Sequence, residues 1–225
     1  MVENRHAYSG DYKMNGNEHK PASGIEKNAG TDNENIGKKT PKAVPEEELV
    51  FYYNRAERLE RAGICSAADF KAASINGELI KKYDIRSSTL EGYLFPDTYF
   101  FTPGMTSSSV VDMMVKNFFE HIRENPTLAS LSPAELQTTL VLASIVEREY
   151  RVADEAPLIA SVFKNRIAKN IGLYSCATIE YIITEIQGKA HPDVITYNDL
   201  KIDSPYNTYK WAALPPTPIS NPGMI

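Results

Sequence analysis

Few side chains in this sequence stand where chemistry comes naturally. The segment LEGYLFPDTYFFTPG, from Leu90, sets Glu91 beside Gly92 and then five aromatic rings, Tyr93, Phe95, Tyr99, Phe100 and Phe101. Rings packed around a carboxyl strip water from it, and desolvation disfavours the charged form. A carboxyl raised toward neutrality can hand a proton to a leaving group, which is the task of a general acid. Gly92 removes bulk beside that carboxyl and leaves room for a substrate to approach. A plainer reading makes Glu91 a surface cap or ion-pair partner and the rings ordinary core, and the residue pattern alone leaves both open. Asp97, before Thr98, is either a second site carboxylate or a turn residue bonding its own backbone, and the turn role is preferred.

Glu147 and Glu149 close an apolar stretch, ASIVEREY. Two residues apart on a helix, they point to different faces, so at most one faces a common site. Arg148 and Arg151 beside them favour a solvated or salt-bridged helix end. Asn165 and Arg166 fall on another predicted helix, where an Arg aligned with apolar residues more often pairs with a buried acid than with a ligand. Cys176 has no histidine near it in sequence and reads as a small buried hydrophobe. Cys65 and Cys176 together cannot build a disulfide framework or a four-ligand zinc site. His6, His19, His121 and His191 show no HExxH spacing, and neither a GxSxG elbow nor a glycine-rich phosphate loop occurs.

These candidates need elements to position them. The chain has 225 residues and a formal charge of −5, which allows one domain with a small appendage and argues against a nucleic-acid binder. About a quarter of residues 1–47 are apolar, too few to offset the entropy of ordering, so the stretch reads as a disordered tail. Residues 48–87 read as a small α/β module: a short strand at VFYY, a helix closed by Gly63, and a second helix capped by Ser66. Aromatics and Pro96 predict extended or edge structure after Leu90. Val110, Val111, Met114, Phe118 and Ile122 mark an amphipathic helix. Ser132-Pro133-Ala134-Glu135 is a strong helix start, and that helix is predicted to reach about Tyr150 through a core-crossing LVLASIV. A further helix should align Leu158, Val162 and Arg166, and another, over 177–187, should stop at Gly188. The proline-rich end, DSPYNTYKWAALPPTPISNPGMI, cannot be helical throughout and suits an ordered loop over a groove. The longest apolar run, around Leu140 to Val146, is far short of the roughly 20 residues that span a bilayer. No signal peptide opens the chain.

LEGYLFPDTYFF, ASIVEREY, VFKNRI and SPYNTYKWAALPPTPISNPG, in this order and spacing, resemble the YceG-like family of endolytic murein transglycosylases. The match runs from about residue 50 to the end, and ERLERAGICSAADF resembles the end of the family's LysM-like domain. The resemblance implies an α+β fold: a catalytic domain over 88–225, a partial LysM-like module over 48–87, and the tail. It implies lytic cleavage of the β-1,4 bond between N-acetylmuramic acid and N-acetylglucosamine in peptidoglycan glycan strands, leaving a 1,6-anhydro ring, with no cofactor and no metal. The family's catalytic glutamate falls at Glu91, and Asp97, Glu147, Asn165, Asn207, Thr208 and Tyr209 become candidates to line the substrate site. Cell-wall synthases are implied as partners, and the outer face of the cytoplasmic membrane as location. Against the family pattern the chain reads as truncated at both ends, without the membrane anchor in front and the helix and strand that follow NPG. It also carries Ser175-Cys176-Ala177-Thr178 where the family often has an acidic-Pro-Thr sequence. Two rivals remain: a non-catalytic peptidoglycan-binding or scaffold protein, and a chorismate-type lyase using pyridoxal phosphate. The second needs a Schiff-base lysine, and Lys164, mid-helix beside Arg166, reads as solvated instead.

Overall fold

Capping chemistry sets many of the helix boundaries. The computed structural model describes residues 42–44 and 52–224, with side chains from Arg55 onward. Helix α1 (Tyr52–Arg61) gives way to Gly63, whose φ of +70° suits a residue without Cβ. Helix α2 (Ala67–Ala73) starts at Ser66, whose hydroxyl accepts the Asp69 N–H at 3.0 Å, and α3 (Gly77–Lys82) starts at Asn76 in the same manner. Thr106 caps α4 (Ser107–Glu124), and Asn125 caps the single turn of α5 (Pro126–Ala129). Helix α6 (Pro133–Val146) carries the expected capping box, Ser132 and Glu135 each taking the other's backbone N–H. A 3-10 turn leads into α7 (Ala156–Ala168). Helix α8 (Cys176–Tyr181) continues into a π-helical turn over Ile182–Ile186, which Gly188 follows at φ +64°.

Strand is scarce. Among the described residues, β1 (Lys42–Val44) and β2 (Tyr99–Phe101) form one antiparallel pair, with Lys42 opposite Phe101 and Val44 opposite Tyr99. Lys42–Val44 belong to the stretch read as a tail, and residues 1–41 lie outside the described residues. The strand expected at VFYY gives way to helix from Tyr52, since β propensity yields to packing. The described part of 48–87 holds helices and turns. The fold is mixed α and β, dominated by helix.

Two large apolar cores and a small third one, of Ile179, Ile182 and Ile183, form among the described residues. The first gathers Leu59 and Phe70 from α1 and α2, Leu90, Tyr93 and Leu94 from the aromatic segment, and the predicted α4 face, Val110, Val111, Met114, Phe118 and Ile122. The second gathers Phe163 of α7, Leu173, Tyr181 and Ile219. Helix α6 serves both, with Leu140 in the first and Leu142 and Ile145 in the second, so its centre is apolar all round. It ends at Val146, short of Tyr150. Helix α7 is rotated from the expected register. Phe163 is buried, while Leu158 and Val162 are 69% and 47% exposed, because a run apolar on several sides does not specify its inward face. No helix among the described residues is long and apolar enough to cross a membrane.

Candidate active site

A tight turn places Glu91. Leu90 N–H bonds Ser74 O at 2.8 Å, and Tyr93 N–H returns to Leu90 O at 3.0 Å. Between them Gly92 adopts φ +90°. A Cβ there would lie 2.5 Å from Pro218 Cγ, so the residue makes room for the proline-rich end rather than for a substrate. That end runs as an ordered loop across the α6 helix. Ile219 N–H donates to the Ser144 hydroxyl at 3.0 Å, and the Ser220 hydroxyl donates to Ser144 O at 2.8 Å.

Asn221 completes the arrangement. Its Oδ1 accepts the Gly92 and Leu94 N–H groups at 2.8 and 3.0 Å, and its Nδ2 donates to Glu91 Oε1 at 2.6 Å. Glu91 is only 3% exposed. Burial pushes its carboxyl up to about 8, against the pull of the Arg55 charge, while the Glu185 charge adds to the rise. Arg148 and the Asn221 hydrogen bond pull more weakly toward the charged form. Arg55 is wholly buried on α1, and the Arg148 side chain, 11% exposed, pairs with Glu180 at 2.9 Å. Tyr206 stands close enough for the Glu91 charge to act on its phenol, whose hydroxyl meets Thr217 Oγ1 at 2.5 Å. The arrangement is an acid that keeps its proton at neutral pH, with positive charge nearby to receive the carboxylate once the proton leaves.

The other candidates divide. Glu147 is brought to the same loop: Gly223 N–H, two residues after Asn221, reaches its Oε2 at 3.4 Å, and the Tyr150 hydroxyl donates to its Oε1 at 3.0 Å. Glu149 points elsewhere, as the spacing requires, and accepts the Ser175 hydroxyl; burial pushes its carboxyl up. Asp97 has the turn geometry. Its Oδ1 accepts the Thr98 N–H at 2.7 Å and its Oδ2 the Asn117 amide at 3.0 Å. Asn165 is exposed on α7, and no described contact links it to Glu91. Arg166, its neighbour, donates to the Leu173 carbonyl instead of a carboxylate.

Asn207 and Thr208 look inward and frame the loop. Asn207 Nδ2 donates to Leu200 O and Ile202 O at 3.0 and 2.8 Å, and its Oδ1 accepts the Tyr209 N–H. Buried Thr208 Oγ1 accepts the Ser175 N–H at 3.1 Å and meets the Thr178 hydroxyl at 2.9 Å. Tyr209 is half-buried against Tyr174, its hydroxyl 3.0 Å from the Cys176 sulfur, and burial pushes its phenol up. Cys176 itself is exposed rather than buried. The residues that reasoning from sequence missed are Asn221, Arg55, Arg148 and Ser144. Asn221 and Ser144 left a signal, an Asn before Pro-Gly and a lone hydroxyl inside an apolar helix, and Arg148 reads from sequence as an ion-pair residue, which its bridge to Glu180 bears out.

Comparison with known proteins bears on the whole. The model of the YceG-like family matches residues 4–225. The endolytic murein transglycosylase of Bacillus subtilis is 38% identical over 136 residues, which is 60% of this chain and 36% of that protein. The endolytic murein transglycosylase of Streptococcus pneumoniae serotype 2 is 33% identical over 139 residues, 60% of this chain and 24% of that protein. The chain therefore spans between 24% and 36% of the length of these relatives. A crystal structure of a YceG-like protein from Listeria monocytogenes aligns with a TM-score of 0.66 at 32% identity, covering 81% of this chain and 64% of that one. The chain belongs to the YceG-like family.

Proposed function

We propose that this chain carries the catalytic machinery of an endolytic peptidoglycan lytic transglycosylase, with Glu91 as its single general acid and base. The observation that carries the reading is the buried Glu91 carboxyl, raised to about 8. Its proton goes to the bridging O4 of N-acetylglucosamine as the bond to C1 of N-acetylmuramic acid breaks. The muramic acid's own C6 hydroxyl then attacks C1, and the Glu91 carboxylate takes the hydroxyl proton. Atoms balance without water, so one carboxyl serves both steps, whereas a hydrolase ordinarily needs two. The N-acetyl group of the substrate stabilises the oxocarbenium-like charge, as in substrate-assisted glycosidases.

Within this reading residues 88–225 perform the cleavage, 48–87 are part of a LysM-like module, and 1–47 are a leading segment whose Lys42–Val44 adds a strand to β2. Glu147 and Tyr209 contact the glycan, Asn207 and Thr208 shape the loop from inside, Asp97 holds the end of the aromatic segment, and Asn165 is an outlying contact on α7. The setting is the outer face of the cytoplasmic membrane, beside cell-wall synthases.

The test is incubation of the purified chain, and of its Glu91→Gln variant, with unbranched glycan strands, followed by product masses. Anhydro ends that vanish in the variant support the reading. Products heavier by one water indicate a hydrolase. Strand binding without cleavage favours a scaffold role.

A further inference from the structure

We propose that Asn221 is a positioning residue that dictates which oxygen of Glu91 holds the working proton; the inference rests on the general-acid role assigned above. The amide can be oriented in one way only. Its Oδ1 receives two backbone N–H groups, from Gly92 and Leu94, so a flipped amide would set its own NH2 against two donors. Nδ2 therefore faces Glu91 Oε1 whatever the protonation state, at 2.6 Å. In a protonated carboxyl the carbonyl oxygen is the stronger acceptor, so the oxygen that takes this hydrogen bond is the one without the proton. The proton sits on Oε2, which takes no hydrogen bond among the described residues. When Oε2 releases it, the Asn221 N–H is already in place to share the new negative charge, and nothing has to reorganise.

Asn221 can hold this role because it is itself held. It is wholly buried, and the two residues before it are bonded to Ser144 on α6. Pro218 packs into the space left by Gly92. Acid and amide are 130 residues apart, so a productive acid exists only when the proline-rich end is docked. The charged and titratable groups around Glu91 are Arg55 on α1, Arg148 beyond the end of α6, Glu185 in the π-helical turn and Tyr206 in the loop. They set how tightly the proton is held, and Asn221 sets where.

Asn221→Asp separates positioning from framework. Its Oδ1 still accepts both N–H groups, but its second oxygen faces Oε1, and the two carboxyls must share a proton between them. On glycan strands, kcat should fall about 100-fold with KM within about threefold. The basic limb of the pH profile should move upward, and the thermal midpoint at pH 5 should stay near that of the parent. Isotope-labelled carboxyl NMR should show Glu91 titrating in two coupled steps. An unchanged pH profile with kcat within about threefold of the parent would overturn the proposal and leave Asn221 a clamp. Should the variant not fold, the parent decides: its Asn221 side-chain amide protons must shift as Glu91 titrates, and protons that stay put refute the proposal. The NMR readings do not depend on cleavage, so a parent chain inactive on strands would defeat the functional reading separately.

Discussion

The Ser144 hydroxyl, buried within α6, accepts the Ile219 N–H at 3.0 Å. This bond ties a core helix to the loop that carries Asn221. In Ser144→Ala the Ile219 N–H is left buried and unpaired, which costs about 1–3 kcal/mol. Chemical denaturation should show that loss. Strand cleavage should fall with it, because the loop loosens over Glu91. A variant as stable and active as the parent would show the loop to be held by other contacts.

Gly92 and Pro218 are matched by shape. Gly92→Ala meets two penalties, the φ of +90° and a Cβ 2.5 Å from Pro218 Cγ. Together they should destabilise the fold by about 2–4 kcal/mol. Pro218→Gly in the same chain removes the clash but not the strained φ, so a double-mutant cycle should recover part of the loss. Simple additivity would mean that the clash is relieved by movement elsewhere.

Glu91 makes the fold pH-dependent in a direction that follows from its raised pKa. In the unfolded chain the group ionises near its ordinary pKa of about 4.3. In the folded chain it holds its proton until about 8. Its contribution to stability is complete below the unfolded value and is lost as pH rises from there through 8, after which it is flat. Glu91→Gln should therefore be more stable than the parent at neutral pH, with a gain that grows between pH 5 and 8, although it no longer cleaves. Denaturation midpoints of both proteins across this range check the sign. Parallel curves would place the carboxyl in water.

Arg148 favours the ionised form of Glu91 and bonds Glu180. Arg148→Met should raise the Glu91 pKa further. The pH above which cleavage declines should then move upward, and stability should drop because Glu180 loses its arginine partner and keeps only the longer contact with His191 among the described residues. A pH–rate profile that does not move would put Arg148 outside the field of the acid.

Local chemistry is legible in the order of the residues. Ser66 and Ser132 cap the helices that their positions predict, Gly63 and Gly188 take positive φ, and the apolar face of α4 is buried as its spacing predicts. Each depends on residues within one or two helical turns. The exposure of Leu158 and Val162 is not legible there, because several sides of that helix are apolar and burial depends on what arrives from elsewhere in the chain. Asn207 and Thr208 show the same limit at the site: their types suit a sugar contact, yet their side chains are spent on Leu200, Ile202, Ser175 and Thr178.

From sequence alone, Glu91 is one candidate acid beside a run of rings; the structure buries it, while the rings pack on α4 and on one another and Phe100 stays exposed. Which group grips the carboxyl is a different matter. Asn221, Arg55 and Arg148 come from three distant places, and only docking of the proline-rich end on α6 brings the amide within 2.6 Å. Hydrogen bonds and charge act over a few ångströms in space, and separation along the chain does not predict which groups will meet at that range.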